Sequence, residues 1–484
     1  MSAGWTWSNY ESRWQLQHSS LRLVLVISAM SSGSVSALEV QTGFDLIHSP
    51  DTKIEGLHRL YMGYSIQDDL SLGQSIYSAA VGDAGGAFFW GYEVVKTWPL
   101  FGSVDVYASG FLGGGGGASQ VTGDGLMLRY GIGLDARLSR KWGITGGFTH
   151  IAIDGGDEAA SAFSVGLSYS AGAAQYFWES LPTRSVAVRS SLVSFGSSLT
   201  RAGLPQPDLV LVGAEFSFMG GPTGEYVFAA DGAARGGEGY MQVMSGMRGR
   251  SRLGPISGFY EGYLGFGGGG DVDTDGGILM QAGIGFGVNI GRDVAVEIML
   301  SEQIAPQSGS KGSVATLRLA RVLGSEHSFE DVSLPGHNWQ FSTGVTQQFP
   351  NSDFRNTPSR TGRPLMQESS VDMFFGERLY LTGNAQTVLG GNAAGYAIGL
   401  VGLGYRSRIN ATTTWAIEGH VGAAGGGSVA AQGGAIYSIR GEIDYWIKPS
   451  MAVSFGAGRI STFSGEGMAP DFLSVSMKIP YSTH

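Results

Sequence analysis

The sequence contains no cysteine, which excludes disulfide stapling, thiolate metal sites and cysteine nucleophiles. Charge is scarce as well. Asp, Glu, Lys and Arg make up 14% of the 484 residues, where ordinary globular domains carry roughly 25%. The balance is acidic, net −10, with no long basic run, so the electrostatic footprint of a nucleic-acid binder is missing. Beyond residue 37 no stretch approaches the roughly eighteen consecutive apolar residues of a membrane-crossing helix. What remains is not a disordered composition, since 43% is apolar and 11% aromatic. Glycine is the one excess, at 80 positions, and it lacks the Gly-X-Y period of collagen.

Near the N-terminus the apolar run Leu21–Ala29 is followed by small and polar residues ending Val35-Ser-Ala37. That layout matches the apolar core and small-residue cleavage site of a secretory signal peptide. Residues 1–37 are therefore expected to be a leader cleaved after Ala37.

The rest of the chain repeats itself. One copy reads Gly110-Phe-Leu-Gly-Gly-Gly-Gly-Gly117, then Gly123-Asp-Gly-Leu-Met-Leu-Arg-Tyr-Gly-Ile-Gly133. The second reads Gly262-Tyr-Leu-Gly-Phe-Gly-Gly-Gly-Gly270, then Asp275-Gly-Gly-Ile-Leu-Met-Gln-Ala-Gly-Ile-Gly285. The third reads Gly419-His-Val-Gly-Ala-Ala-Gly-Gly-Gly427, then Gln432-Gly-Gly-Ala-Ile-Tyr-Ser-Ile-Arg-Gly441. Position 110 maps to 262 and 419, so the offsets are 152 and 157. Duplication is the natural origin of such spacing. The expected β units are 38–170, 183–323 and 336–481, joined by 171–182 and 324–335. A period this long makes each unit several hairpins, not one solenoid turn.

Within a unit the hydrophobic period is two. Leu126, Leu128, Tyr130, Ile132 and Leu134 share one face of a strand; Met127, Arg129, Gly131, Gly133 and Asp135 share the other. In the second unit Ile278, Met280, Ala282, Ile284, Phe286 and Val288 alternate with Leu279, Gln281, glycines and Asn289. Leu473, Val475, Met477 and Ile479 alternate with Ser474, Ser476, Lys478 and Pro480. One face meeting an apolar phase and the other meeting polar contents gives this pattern. About eight such segments fit each unit, roughly 24 in all, and strands of 10–12 residues tilted at 40–45° span about 25 Å. Trp98, Phe101, Trp142, Tyr169, Trp339, Trp415 and Trp446 fall near expected strand ends, as an interfacial aromatic girdle would place them.

In export signal, strand length, alternation and even strand count the sequence resembles bacterial outer-membrane β-barrel proteins, a porin-like architecture. The resemblance is architectural and attaches no specific family. It implies an all-β, antiparallel transmembrane barrel in the bacterial outer membrane, with outer-membrane lipid as its surroundings. Because backbone groups facing lipid must be paired, the wall must close. One large barrel of about 24 strands is the favoured closure, and three tandem eight-stranded barrels are the alternative.

The candidate lumen or rim residues are the charges on the polar phase. Glu261 and Glu418 occupy equivalent positions before the glycine runs, where the first unit has Ser109. Arg250 and Arg252 match Arg406 and Arg408 at a spacing of 156. Arg129, Asp135, Glu297, Arg440, Glu442 and Asp444 complete the set. Such charges either bias small solutes in an open lumen or pair with one another to fill a closed one. The glycine runs lack the Gly-Lys-Ser/Thr of a phosphate loop, so a turn or curvature role is expected of them. No cofactor, metal ligand set or catalytic residue is expected. The leading function is a pore or transporter for small polar solutes or an exported polymer, and a periplasmic partner is a further expectation. The alternatives are a non-conducting structural, adhesion or envelope-biogenesis barrel, and an outer-membrane hydrolase with a rim site.

Overall fold

The computed structural model describes residues 38–48, 53–67, 69–117, 123–154, 159–170, 183–219, 224–254, 256–290, 294–322 and 337–483. The leader 1–37 and both connecting segments lie outside the described residues.

The alternation predicted from sequence folds as antiparallel strands throughout. The first eight are β1 (Leu38–Ile47), β2 (Ile54–Gln67), β3 (Leu70–Gly82), β4 (Phe88–Phe101), β5 (Val104–Gly116), β6 (Leu126–Arg137), β7 (Trp142–Ile153) and β8 (Ala159–Ser170). Next come β9 (Thr183–Ser194), β10 (Leu209–Met219), β11 (Gly224–Arg235), β12 (Met241–Leu253), β13 (Ile256–Gly268), β14 (Ile278–Asn289), β15 (Val294–Ala305) and β16 (Ser310–Val322). The last are β17 (His337–Phe349), β18 (Leu365–Phe375), β19 (Leu379–Gly390), β20 (Ala397–Arg408), β21 (Thr413–Gly425), β22 (Ala435–Lys448), β23 (Met451–Thr462) and β24 (Asp471–Thr483).

The favoured single wall of about 24 strands is not what forms. Three separate barrels close instead, because β1 pairs with β8, β9 with β16, and β17 with β24. An even strand count permits this outcome, and the content of the bores favours it. An even strand count returns the last strand of a unit to the side of its own first, so closure needs no partner from another unit. An eight-stranded bore is also just wide enough for side chains to fill, and the large inward Arg, Glu and Tyr side chains do fill it. A 24-stranded wall would hold those groups apart.

The inward and outward phases match the sequence reading. Leu128, Tyr130, Ile132 and Leu134 are exposed while Met127 and Arg129 are buried. Phe148 and Ile284 are each 70% exposed, an outward apolarity that only a lipid phase makes favourable. All seven aromatic residues named above lie at the end of the barrels that carries the short turns, such as Gly102–Ser103. Trp98, Phe101, Trp142 and Trp415 are exposed there. Two depart from the girdle: Trp339 is covered between barrels, and the Trp446 indole donates to Thr414 Oγ1 at 3.1 Å.

The barrels pack side by side in a ring. The turn before β4 meets the end of β13, the turn before β12 meets the end of β21, and the turn before β20 meets the end of β5. The first unit thus grips the second, the second the third, and the third the first. Such a head-to-tail contact closes when the rotation is threefold. Further contacts tie each pair. His58 stacks on Phe266 with ring centroids 4.4 Å apart. Asp124 Oδ1 accepts the N–H groups of Gly391 and Asn392 at 2.9 and 2.7 Å. Glu238 accepts those of Ala431 and Gly433 at 3.1 Å each. Nearer the short-turn end, Val186 and Phe216 of the second barrel pack on Trp339 and Met373 of the third.

Candidate functional site

The inward charges pair with one another inside each bore. In the first barrel Arg59 on β2 grips Glu93 on β4 through two bonds, Nε at 3.0 Å and Nη2 at 2.8 Å. Arg129 on β6 reaches Asp45 on β1 through Nε at 2.6 Å and Nη2 at 3.1 Å. Bidentate contacts of this kind are the strong form of a charge-assisted bond. Tyr77 also donates to Glu93, at 3.0 Å.

The second barrel holds the densest network. Arg318 on β16 donates to both carboxylate oxygens of Glu261 on β13, at 2.6 and 2.5 Å, and approaches Glu297 at 3.2 Å and Glu215 at 3.0 Å. Arg248 on β12 contacts Glu261 at 2.5 Å, Glu225 at 3.2 Å and also Glu215. Arg250 bridges Glu225 and Glu297 at 2.8 Å each. Arg189 pairs with Asp231 at 3.1 Å and Glu215 at 3.3 Å. Arg189, Arg248 and Arg318 are among the most fully buried side chains in the molecule.

In the third barrel Arg440 on β22 pairs with Glu368 on β18, four strands away and therefore on the opposite wall. It also meets Glu442 at 2.6 Å. Lys478 joins Glu442 and, at 3.0 Å, Asp444. Tyr380 donates to Glu418 at 2.6 Å, and His420 Nε2 lies 3.4 Å from the same carboxylate.

Of the residues expected from sequence, the structure gathers Arg250, Glu261 and Glu297 into one cluster and Glu418, Arg440, Glu442 and Asp444 into another. Arg129 stands at the centre of the third set. Of the remaining four, Asp135, Arg406 and Arg408 do not join. Asp135 is half-buried near the short-turn end of β6. Arg252 lies at the end of β12, opposite Ser257 in register. Arg406 donates to Gln340 at 3.0 Å and lies 4.1 Å over the Phe374 ring. Arg408 is exposed. Sequence reasoning missed Glu93, Arg248, Arg318, Glu215, Glu368 and Lys478. Each is a charge on the inward phase of an alternating strand, as in Leu317-Arg318-Leu319, so the signal was present.

A different feature sits where the three barrels meet. On the long-loop end a cavity of about 500 Å³ opens on the pseudo-threefold axis. Phe88, Met241 and Ala397, which begin β4, β12 and β20, line it, together with glycines of all three units. Arg201, Glu238, Asp271 and Arg360 supply the charged lining. Among the described residues no group of His, Asp and Glu side chains is placed to hold a metal ion.

No family model and no curated protein matches the chain. Solved structures do. The outer membrane protein OpdK from Pseudomonas aeruginosa is similar over 92% of this chain and 98% of its own, at 10% identity and TM-score 0.23. The siderophore receptor PirA from Acinetobacter baumannii is similar over 93% of this chain and 81% of its own, at 9% identity and TM-score 0.30. The ferric-catecholate import receptor Fiu from E. coli K12 covers 92% and 81%, at 9% identity and TM-score 0.28. At such scores the functional reading rests on the chain's own geometry.

Proposed function

We propose that this protein resides in the bacterial outer membrane as a ring of three sealed barrels, and that it handles small solutes at its loop face. The outward apolar faces and the aromatic residues at the short-turn end support the location. By the same architecture the short turns belong in the periplasm and the long loops outside.

One observation carries the sealed reading: the Arg440–Glu368 contact joins opposite walls of a bore, and in the other two barrels Arg318–Glu261 and Arg129–Asp45 join strands three apart around the ring. Small barrels packed this way are cores, not conduits. Of the readings left open by sequence, this favours the non-conducting barrel over passage through each lumen. Opening a bore would separate buried ion pairs, at about 3–5 kcal/mol for each one broken.

Purified protein in planar bilayers tests it. No discrete current steps are expected from folded protein. Reproducible steps whose ion preference changes in Glu261→Gln or Glu418→Gln would instead establish an open charged lumen.

A further inference from the structure

We infer that the cavity on the pseudo-threefold axis is a binding site for a small oxyanion, a phosphate or carboxylate group presented from outside the cell. The inference rests on the loop face being the working face, as proposed above.

The first ground is a set of equivalent donors. Gly117, Gly269 and Gly426 occupy the same position in the three repeats, and all three line the cavity. Among the described residues their N–H groups donate to no backbone acceptor. Backbone N–H groups left without partners at a concave, glycine-lined junction form the kind of hollow that binds anions. A side chain at any of the three would strain the backbone, since each has positive φ, 126°, 92° and 85°, and its Cβ would overlap the carbonyl oxygen of Gly86, Gly239 or Gly395 in the adjoining turn.

The second ground is the charge at the rim. Arg201 comes from the loop between β9 and β10, and Arg360 from the loop between β17 and β18. Arg201 is already positioned: it pairs with Asp83 at 3.3 Å and donates to the Asp275 carbonyl at 3.0 Å. The two acidic lining residues are less opposed to an anion than their number implies. Glu238 has both carboxylate oxygens engaged by the Ala431 and Gly433 N–H groups, and Asp271 is exposed. The third ground is the apolar triplet Phe88, Met241 and Ala397. A ligand with a compact apolar body and one anionic end matches both surfaces, and a cavity of about 500 Å³ suits a molecule of that size.

Two sources could supply such a group, a free solute or the phosphate of a membrane lipid. The test uses the full chain. In detergent, inorganic phosphate is titrated and followed by calorimetry; in phosphatidylcholine nanodiscs, binding is compared with and without added phosphatidic acid. Arg360→Gln is the principal variant, Arg201→Gln the second, and Arg459→Gln the exposed control away from the cavity, each checked for heat-modifiable migration as a folded barrel. Binding of phosphate weakened about tenfold or more by Arg360→Gln, and unchanged in Arg459→Gln, supports a free-anion site. The same pattern confined to the phosphatidic acid arm supports the site with a lipid source. Absence of binding in both arms, or binding indifferent to both Arg360→Gln and Arg201→Gln, overturns it. Current steps in planar bilayers would remove the sealed-barrel reading while leaving this titration to stand or fall separately.

Discussion

The lumens and the seam between barrels are built by the same three repeats, yet they have diverged to opposite degrees. Equivalent lumen positions carry unrelated residues. Arg248 corresponds to Val95 and Gly404, Arg440 to Gly131 and Gly283, and Arg129 to Gln281 and Ser438. Equivalent seam positions are glycine every time: Gly86, Gly239 and Gly395 in one turn, Gly116, Gly268 and Gly425 in the other. A lumen must only be full and electrically satisfied, which many combinations of side chains achieve. The seam must bring two backbones together, and that has one solution. A Cβ on Gly268 would fall 2.6 Å from the backbone of Gly85 and Gly86, and Gly86, Gly239 and Gly395 have φ of 89°, 87° and 85°.

That contrast can be broken at either end. The largest effect is expected from Arg318→Met, which leaves Glu215, Glu261 and Glu297 short of a shared cation. Stability should fall by about 3–5 kcal/mol, read from urea unfolding in detergent. Gly268→Val should cost about 2–3 kcal/mol through strain and overlap. It should also separate the first barrel from the second while each stays closed, as distances between spin labels on the two would report. Glu418→Gln should cost only about 1 kcal/mol, because the Tyr380 hydroxyl can still donate to the amide oxygen. Arg408→Ala, at an exposed strand end, should lie within about 0.5 kcal/mol of wild type.

The strand pattern was legible because alternation is a local property: the outward phase of Leu126–Leu134 could be read without knowing any neighbour. The partner of the last strand in each unit was not legible. Ser170 and Val322 each close a strand whose other edge could take any free strand of the right height, so one wall, the favoured reading, and three barrels both stayed open. Arg129, Glu261 and Arg440 were legible as inward charges for the same local reason. Their partners were not, since Arg129 and Asp45 stand 84 residues apart and only closure brings them face to face. The glycine runs were assigned a shared geometric role, but the barrels they join could not be seen from one strand's periodicity.

Closure within each unit is the claim on which both the lumens and the seam depend, and disulfide trapping tests it directly. The native chain has no cysteine, so engineered thiols can pair only with one another. Phe44 and Val165, Ser190 and Leu317, and Val345 and Val475 are cross-strand partners at the three closures. Cysteines at each pair should oxidise to an intramolecular disulfide in folded protein and not in urea. Failure of all three, with efficient cross-linking between β8 and β9 and between β16 and β17 instead, would mean one continuous wall and contradict the account.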